Sequence, residues 1–195
     1  MKILLISAYE LGHQPFHAAS GAAALRSAGH QVRVRDLAID ELTTCDIEWP
    51  EGVALAVPMH TAMQIALEAA GQITTRRPDL PLCFFGLYAH MAEIPGDVTT
   101  LAGEYEPNLV KWAHGVRGAQ SVNVDRAAIT IAPDRSGLHG LDSYVGLEIA
   151  GTQRIVGSTA ASRGCRYLCR HCPVPVVYGG SFRVVDRALI GEDID

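Results

Sequence analysis

The sequence predicts an α/β protein: a doubly wound parallel sheet followed by a cysteine-bearing loop. Three observations carry that expectation. Near-continuous apolar runs begin at Lys2, Gly52 and Leu80, as in strands covered on both faces. Ala-rich stretches of helical length follow the first two, the β-α alternation of a wound parallel sheet. Beyond Gly118 that alternation stops, and three of the five cysteines crowd into the span Cys165 to Cys172.

In chain order, Lys2 to Ala8 is expected as a buried central strand. Tyr9 to Pro15 is a polar, Gly- and Pro-bearing loop, and Phe16 to Ala28 is an Ala-rich helix stopped by Gly29. Gln31 to Leu37 alternates apolar and charged residues, which predicts a half-exposed strand at a sheet edge. A polar connection containing Cys45 leads to a third strand, Gly52 to Met59, with Thr61 as the expected N-cap of the next helix. In that helix Ala62, Ile65, Ala66, Ala69, Ala70 and Ile73 recur at helical spacing and form its buried face. Leu80 to Ala89 is a fourth strand holding Cys83, and Val98 to Ala102 a short fifth. The turn Gly103-Glu104-Tyr105-Glu106-Pro107 then opens a helix to about Gly115. Ligands of such sheets bind outside the carboxyl ends of the strands.

Gly118 to Gly151 is rich in turn formers, and its short apolar run Ala127 to Ala132 suggests one small strand or hairpin within a linker. Arg154 to Ala160 is a further strand candidate leading into the cysteines, and Val184 to Ile194 a helix. The organisation expected is therefore a wound domain over residues 1–118, a linker over 119–151 and a cysteine segment over 152–195.

With 48% hydrophobic and 19% charged residues the chain is core-forming rather than disordered. A net charge of -5 argues against a nucleic-acid binder. The N-terminus has no signal-peptide h-region, and no window approaches the roughly 20 apolar residues of a membrane helix. A cytoplasmic protein without a membrane partner is expected, in which clustered cysteines stay reduced and read as metal ligands.

The cysteines are spaced C-x3-C-x2-C, with Gly164 before the first and Pro173 after the third. Three thiolates so placed complete neither a tetrahedral zinc site nor a four-iron cluster, which leaves a fourth position for another ligand. Arg163, Arg166 and Arg170 interleave with them, either as solvated charge or as cations lowering the thiol pKa values.

The stretch Ala161-Ser162-Arg163-Gly164-Cys165 through Cys172-Pro173 resembles the cluster loop of radical S-adenosylmethionine enzymes, in the subgroup with an N-terminal cobalamin-binding domain. The following Pro173 to Arg183 is similar to that subgroup as well. His171 stands where an aromatic residue is usual. The resemblance implies a [4Fe-4S] cluster on Cys165, Cys169 and Cys172, with S-adenosylmethionine on the open iron. It implies reductive cleavage to a 5'-deoxyadenosyl radical, and cobalamin-assisted methyl transfer or rearrangement on an unknown small-molecule or peptide substrate. A reducing donor such as flavodoxin or ferredoxin is implied too. By the same resemblance residues 1–118 are a Rossmann-like cobalamin-binding type of domain, and Arg154 to Ala160 is the first strand of an incomplete (β/α) barrel. The chain is accordingly expected to be part of a longer protein, inactive alone and loosely packed after about Gly151.

His13 and His17 lack the D-x-H-x-x-G pattern, so a His-ligated cobalt is not expected. The positions matching the subgroup's corrin-holding loops are Tyr9, Glu10, Pro58, His60, Thr61, Gly86, Tyr88, Gly103, Glu104 and Glu106. Gly103-Glu104-Tyr105-Glu106 resembles a Gly-Glu-Gly-Glu turn, with Tyr105 in place of the second Gly.

Plainer readings stand beside these. The three cysteines could be part of a structural zinc site, making the chain a non-catalytic zinc- or iron-sulfur-binding module. Cys45 and Cys83 read as small hydrophobes. His13, His60 and His90 read more readily as solvated loop residues than as ligand contacts, and the Gly103-Glu104 turn reads equally as a strand exit with Glu106 favoured by the helix dipole.

Overall fold

The computed structural model describes residues 1–91, 98–118, 120–124 and 130–195. The wound sheet forms from β1 (Lys2–Ser7), α1 (Phe16–Ser27), β2 (Gln31–Asp36), α2 (Thr44–Glu48), β3 (Gly52–Ala56), α3 (His60–Arg76), β4 (Leu82–Phe85), β5 (Thr99–Gly103), α4 (Glu106–Ala113) and β6 (Gln120–Asn123). All pairings are parallel and the strand order is β2-β1-β3-β4-β5-β6. β1 therefore has one sequence neighbour on its edge side and the rest of the sheet on the other. That reversal of strand order is where ligands of open α/β sheets bind.

Ile3, Leu4, Leu5 and Ile6 of β1 are fully buried, and the alternation of a strand divides them between two cores. Ile3 and Leu5 join Ala18, Ala22 and Leu25 of α1 and Leu109 and Trp112 of α4 on one face. Leu4 and Ile6 join Ala62, Ala66, Ala69, Ala70 and Ile73 of α3 on the other. The anticipated buried stripe of α3 thus forms, with Ile65 only half-buried. β2 lies at the sheet edge, as its alternation predicts.

Several boundaries differ from the sequence expectation. α3 starts at His60 with Met59 at the N-cap and no side-chain cap, so Thr61 lies inside the first turn. The polar connection around Cys45 contains α2, which Thr43 and Asp46 close with a reciprocal capping box. That turn leaves Cys45 exposed rather than packed as a small hydrophobe, whereas Cys83 is fully buried in β4. The run from Leu80 to Ala89 is strand only to Phe85, because Gly86 takes a positive φ of 113° and the chain folds into a 3-10 turn at Ala89–Met91. The sheet gains its sixth strand at residues 120–123, just past Gly118. Of the apolar run Ala127 to Ala132, residues 127–129 lie outside the described residues.

The later chain forms a small hairpin of β7 (Leu147–Ile149) and β8 (Thr152–Arg154), followed by β9 (Ser162–Gly164), α5 (Val174–Tyr178), β10 (Phe182–Val184) and α6 (Arg187–Ile194). β9 and β10 pair antiparallel. The strand expected over Arg154 to Ala160 does not form: Arg154 ends β8, and residues 155–160 have no regular structure. A strand needs a hydrogen-bonded neighbour, and no described strand pairs with that segment. After Gly151 the segment is packed at one place, where Arg163, Val177 and Tyr178 are buried, while its other residues are exposed or half-buried, so the expected loose packing holds for most of it but not for that anchor. Arg135 donates to both carboxylate oxygens of Asp193 in α6, at 2.7 and 2.9 Å, to Gln14 Oε1 at 2.7 Å and to the Ser158 carbonyl at 2.8 Å. Among the described residues no helix is long and apolar enough to cross a membrane.

Candidate functional site at the carboxyl edge of the sheet

A crevice of about 200 Å3 lies at the carboxyl ends of the strands, between the sheet and the β9–β10 hairpin. Phe16, His17, Pro58, Leu87, Gly103 and Tyr105 wall it on the sheet side. Ala160, Ser162, Arg163, Gly164, Val174 and Tyr178 close it from the hairpin side. The strand ends approach one another closely there. A Cβ on Gly103, which has φ +77°, would lie 2.0 Å from the Asn123 carbonyl oxygen. One on Gly86 would lie 2.9 Å from that of Val57. Both positions therefore demand glycine.

Beside the crevice lies a buried polar network. Arg163 donates from Nη1 to Glu104 Oε2 and Glu106 Oε2, each at 2.9 Å, and from Nη2 to Glu106 Oε1 at 2.5 Å. Ser20 on α1 donates to Glu106 Oε1 at 2.6 Å. Arg183 donates from Nη1 to Glu104 Oε1 at 3.0 Å and from Nη2 to the Val124 carbonyl. Burial pushes the Glu104 carboxyl above its ordinary value, against the pull of Arg163. For Arg163 burial works against the charge, but Glu106, Tyr105 and Glu104 outweigh it and raise the guanidinium's pKa. Arg163 is thus a buried ion-pair partner, not solvated charge, while Arg166 and Arg170 are exposed.

The corrin-loop candidates separate into groups. Pro58 and Gly103 line the crevice, and Glu104 and Glu106 are occupied by the two arginines. Glu10 accepts hydrogen bonds from the Phe16 and His17 amides, 3.0 Å each, and so closes the N-terminus of α1. Tyr9 and Tyr88 pack against the α3-side core. His60 and Thr61 are exposed on α3, and the His60 ring meets Tyr88 edge-on at 6.4 Å. His90 holds the Leu87 carbonyl at 2.9 Å through Nδ1.

Sequence alone assigned no role to Ser20, Tyr178 or Arg183, took Tyr105 as a replacement for a glycine, and set His17 aside as a cobalt ligand. Tyr105 is 2% exposed, stacks on His17 at 5.8 Å and meets Phe85 at 4.8 Å. The Tyr in place of a second glycine is therefore a core residue bracing the turn. Arg183, a lone charge in the apolar run Phe182-Arg183-Val184-Val185, was the one sequence signal for the network.

Cys165 and Cys172 are half-buried and Cys169 is exposed, all as free thiols on the segment between β9 and α5. The Cys172 amide donates to the Cys169 carbonyl at 3.3 Å. Gly164, at φ +75°, lets the chain leave β9, where a Cβ would lie 2.2 Å from the Ser181 carbonyl oxygen. Among the described residues no group of three His, Cys, Asp or Glu side chains is gathered to hold a metal ion. The donor set, three free and accessible thiols on one segment, still suits an iron-sulfur cluster by its chemistry. Cobalamin does not fit the crevice with the hairpin seated. The volume is below the roughly 300–1,000 Å3 of drug-sized sites, and a corrin is larger than such ligands.

The chain is similar to a hopanoid C-3 methylase of Methylococcus capsulatus (strain Bath), with 25% identity over 199 residues. The match covers 89% of this chain and 38% of that protein, so the chain spans well under half the length of this relative. No family model matches the chain. No solved structure matches it either.

Proposed function

We propose that this chain is the N-terminal part of a radical S-adenosylmethionine methylase, with Cys165, Cys169 and Cys172 as the ligands of a [4Fe-4S] cluster. The observation that carries the reading is the C-x3-C-x2-C segment emerging from a hairpin anchored by buried charge at the carboxyl edge of a wound parallel sheet. Similarity to a protein named for methylation supports methyl transfer over rearrangement.

Bound there, the cluster would supply the electron that cleaves S-adenosylmethionine to a 5'-deoxyadenosyl radical. The chain's own residues supply position. Gly164, at positive φ, turns the backbone between the anchored Arg163 and Cys165, and Gly179 and Gly180, both at positive φ, return the chain to β10. Three thiolates leave one iron open for S-adenosylmethionine. Tyr9, Glu10, Pro58, His60, Thr61, Gly86, Tyr88 and Gly103 remain the candidate holders of cobalamin, which would need the hairpin lifted and is assigned no step, while Glu104 and Glu106 are taken up by Arg163 and Arg183.

The test is anaerobic reconstitution with iron and sulfide, followed by metal and sulfide analysis and electron paramagnetic resonance of the reduced protein with and without S-adenosylmethionine. A [4Fe-4S] signal that changes on addition supports the reading. Stoichiometric zinc without a cluster, or a cluster indifferent to S-adenosylmethionine, replaces it with a non-catalytic metal-binding module.

A further inference from the structure

We infer that Arg163 and Arg183 are positioning residues for the cysteine segment, and that Glu104 and Glu106 are the seat for these arginines rather than contacts for a cofactor. The inference rests on the cluster reading above and adds the means by which the thiols are held against the sheet.

In the β9–β10 hairpin Arg163 and Arg183 stand directly opposite each other. Like charges at such a pair destabilise a hairpin. The placement becomes favourable only against facing carboxylates, and the β5–α4 turn presents two. Glu104 bridges both arginines, with Oε2 toward Arg163 and Oε1 toward Arg183, while Glu106 takes both prongs of Arg163. Two cations meet two anions, so the buried cluster is neutral. Arg183 also reaches the Val124 carbonyl beyond β6, and Arg163 lies over the Tyr105 and Phe16 rings at 5.3 and 5.9 Å. The hairpin is thereby tied to α1, to the β5–α4 turn and to the end of β6.

Buried ion pairs contribute little net stability compared with apolar packing, and their best-attested use is to fix register. Here the fixed register sits two residues before Cys165. Between them Gly164 is locked by the close approach of the Ser181 carbonyl. A segment so short transmits the position of the Arg163 guanidinium directly to the first thiol.

The experiment uses the full chain, reconstituted anaerobically, with a nitroxide on Cys45, which is exposed while Cys83 is fully buried. Pulsed electron paramagnetic resonance reads the distances between that label and the reduced cluster. A narrow distribution is expected for the parent, for Arg163→Lys and for Arg166→Met, an exposed arginine on the same segment. Arg163→Met and Glu106→Gln should broaden it without changing iron and sulfide content. Equally narrow distributions in all variants would overturn the inference. Should Arg163→Met fail to fold, the near-isosteric Glu106→Gln decides.

Hydrogen exchange on the metal-free chain needs no cluster. Amides of residues 162–184 should exchange roughly tenfold faster in Glu106→Gln, with β1 and β3 unchanged. No change there also overturns the inference. A parent chain that binds no cluster defeats the proposed function alone, and hydrogen exchange still decides the positioning role.

Discussion

Arg163 and Glu106 form a two-pronged ion pair, Nη1 to Oε2 at 2.9 Å and Nη2 to Oε1 at 2.5 Å, joining residues 57 positions apart. Removing one partner of a buried pair leaves an uncompensated charge and costs about 3–5 kcal/mol, whereas losing a hydroxyl's hydrogen bond to a carboxylate that keeps its cation costs about 1.5–3 kcal/mol. Glu106→Ala is therefore expected to lower stability in urea denaturation by about 4 kcal/mol, and Ser20→Ala by about 2 kcal/mol. Equal losses would show that the pair is not held in a low-dielectric interior.

The positive-φ glycines divide by what surrounds them. Gly103→Ala would drive a Cβ to 2.0 Å from backbone oxygen, while Gly29→Ala, at φ +83°, meets nothing within 4 Å. Gly29→Ala should cost only the left-handed backbone penalty, about 1–2 kcal/mol. Gly103→Ala should cost clearly more, because the β5 and β6 ends must separate. Thermal unfolding of the two variants compares them directly.

Acid should loosen the segment between β6 and α6 at its two anchors. Burial alone would raise the carboxyls of Asp134 and Asp193. Hydrogen bonds from Ser136 and Arg26 to the first, and from Arg135 and Thr159 to the second, hold both below the ordinary 3.8. A carboxyl depressed by folding stabilises the fold above its unfolded pKa, and that contribution is lost as pH falls through the folded value. Glu104, raised by burial, acts in the opposite sense, favouring the fold at low pH and losing that contribution as pH rises through its folded value. The urea midpoint should fall between about pH 5 and about pH 2.5, and less steeply in an Asp134→Asn/Asp193→Asn variant. An unchanged slope would exclude these two anchors as its source.

Substituting Cys165, Cys169 and Cys172 together by Ser should abolish iron uptake. In the metal-free chain it should alter stability by no more than about 0.5 kcal/mol, the usual effect of substitutions outside the core. Iron counting and urea denaturation on the same sample separate the two effects. A large loss of stability without metal would mean that the thiols serve packing instead.

By itself the sequence determined the wound sheet and the neighbourhood of the chemistry. Ile3 to Ile6 are apolar on both faces, and only a strand between two helix layers satisfies such a run. The alternation of Gln31 to Asp36 marked an edge, and the cysteine spacing marked a candidate metal loop. These signals are local, since strand and helix periods are written in consecutive residues. α2 escaped because its cap is Thr43 with Asp46, without the usual Glu or Gln, in a five-residue helix too short for a periodic stripe. Tertiary structure alone decided what Glu104, Glu106, Arg163 and Arg183 do. From sequence Glu104 and Glu106 read as corrin contacts or a helix-capping turn, and Arg163 as solvated or thiol-activating charge, because sequence does not record which cation lies beside which carboxylate. Only the antiparallel register of β9 and β10, set against the β5–α4 turn, brings two arginines and two glutamates into one buried place. There, each charge is tolerable because the others are present.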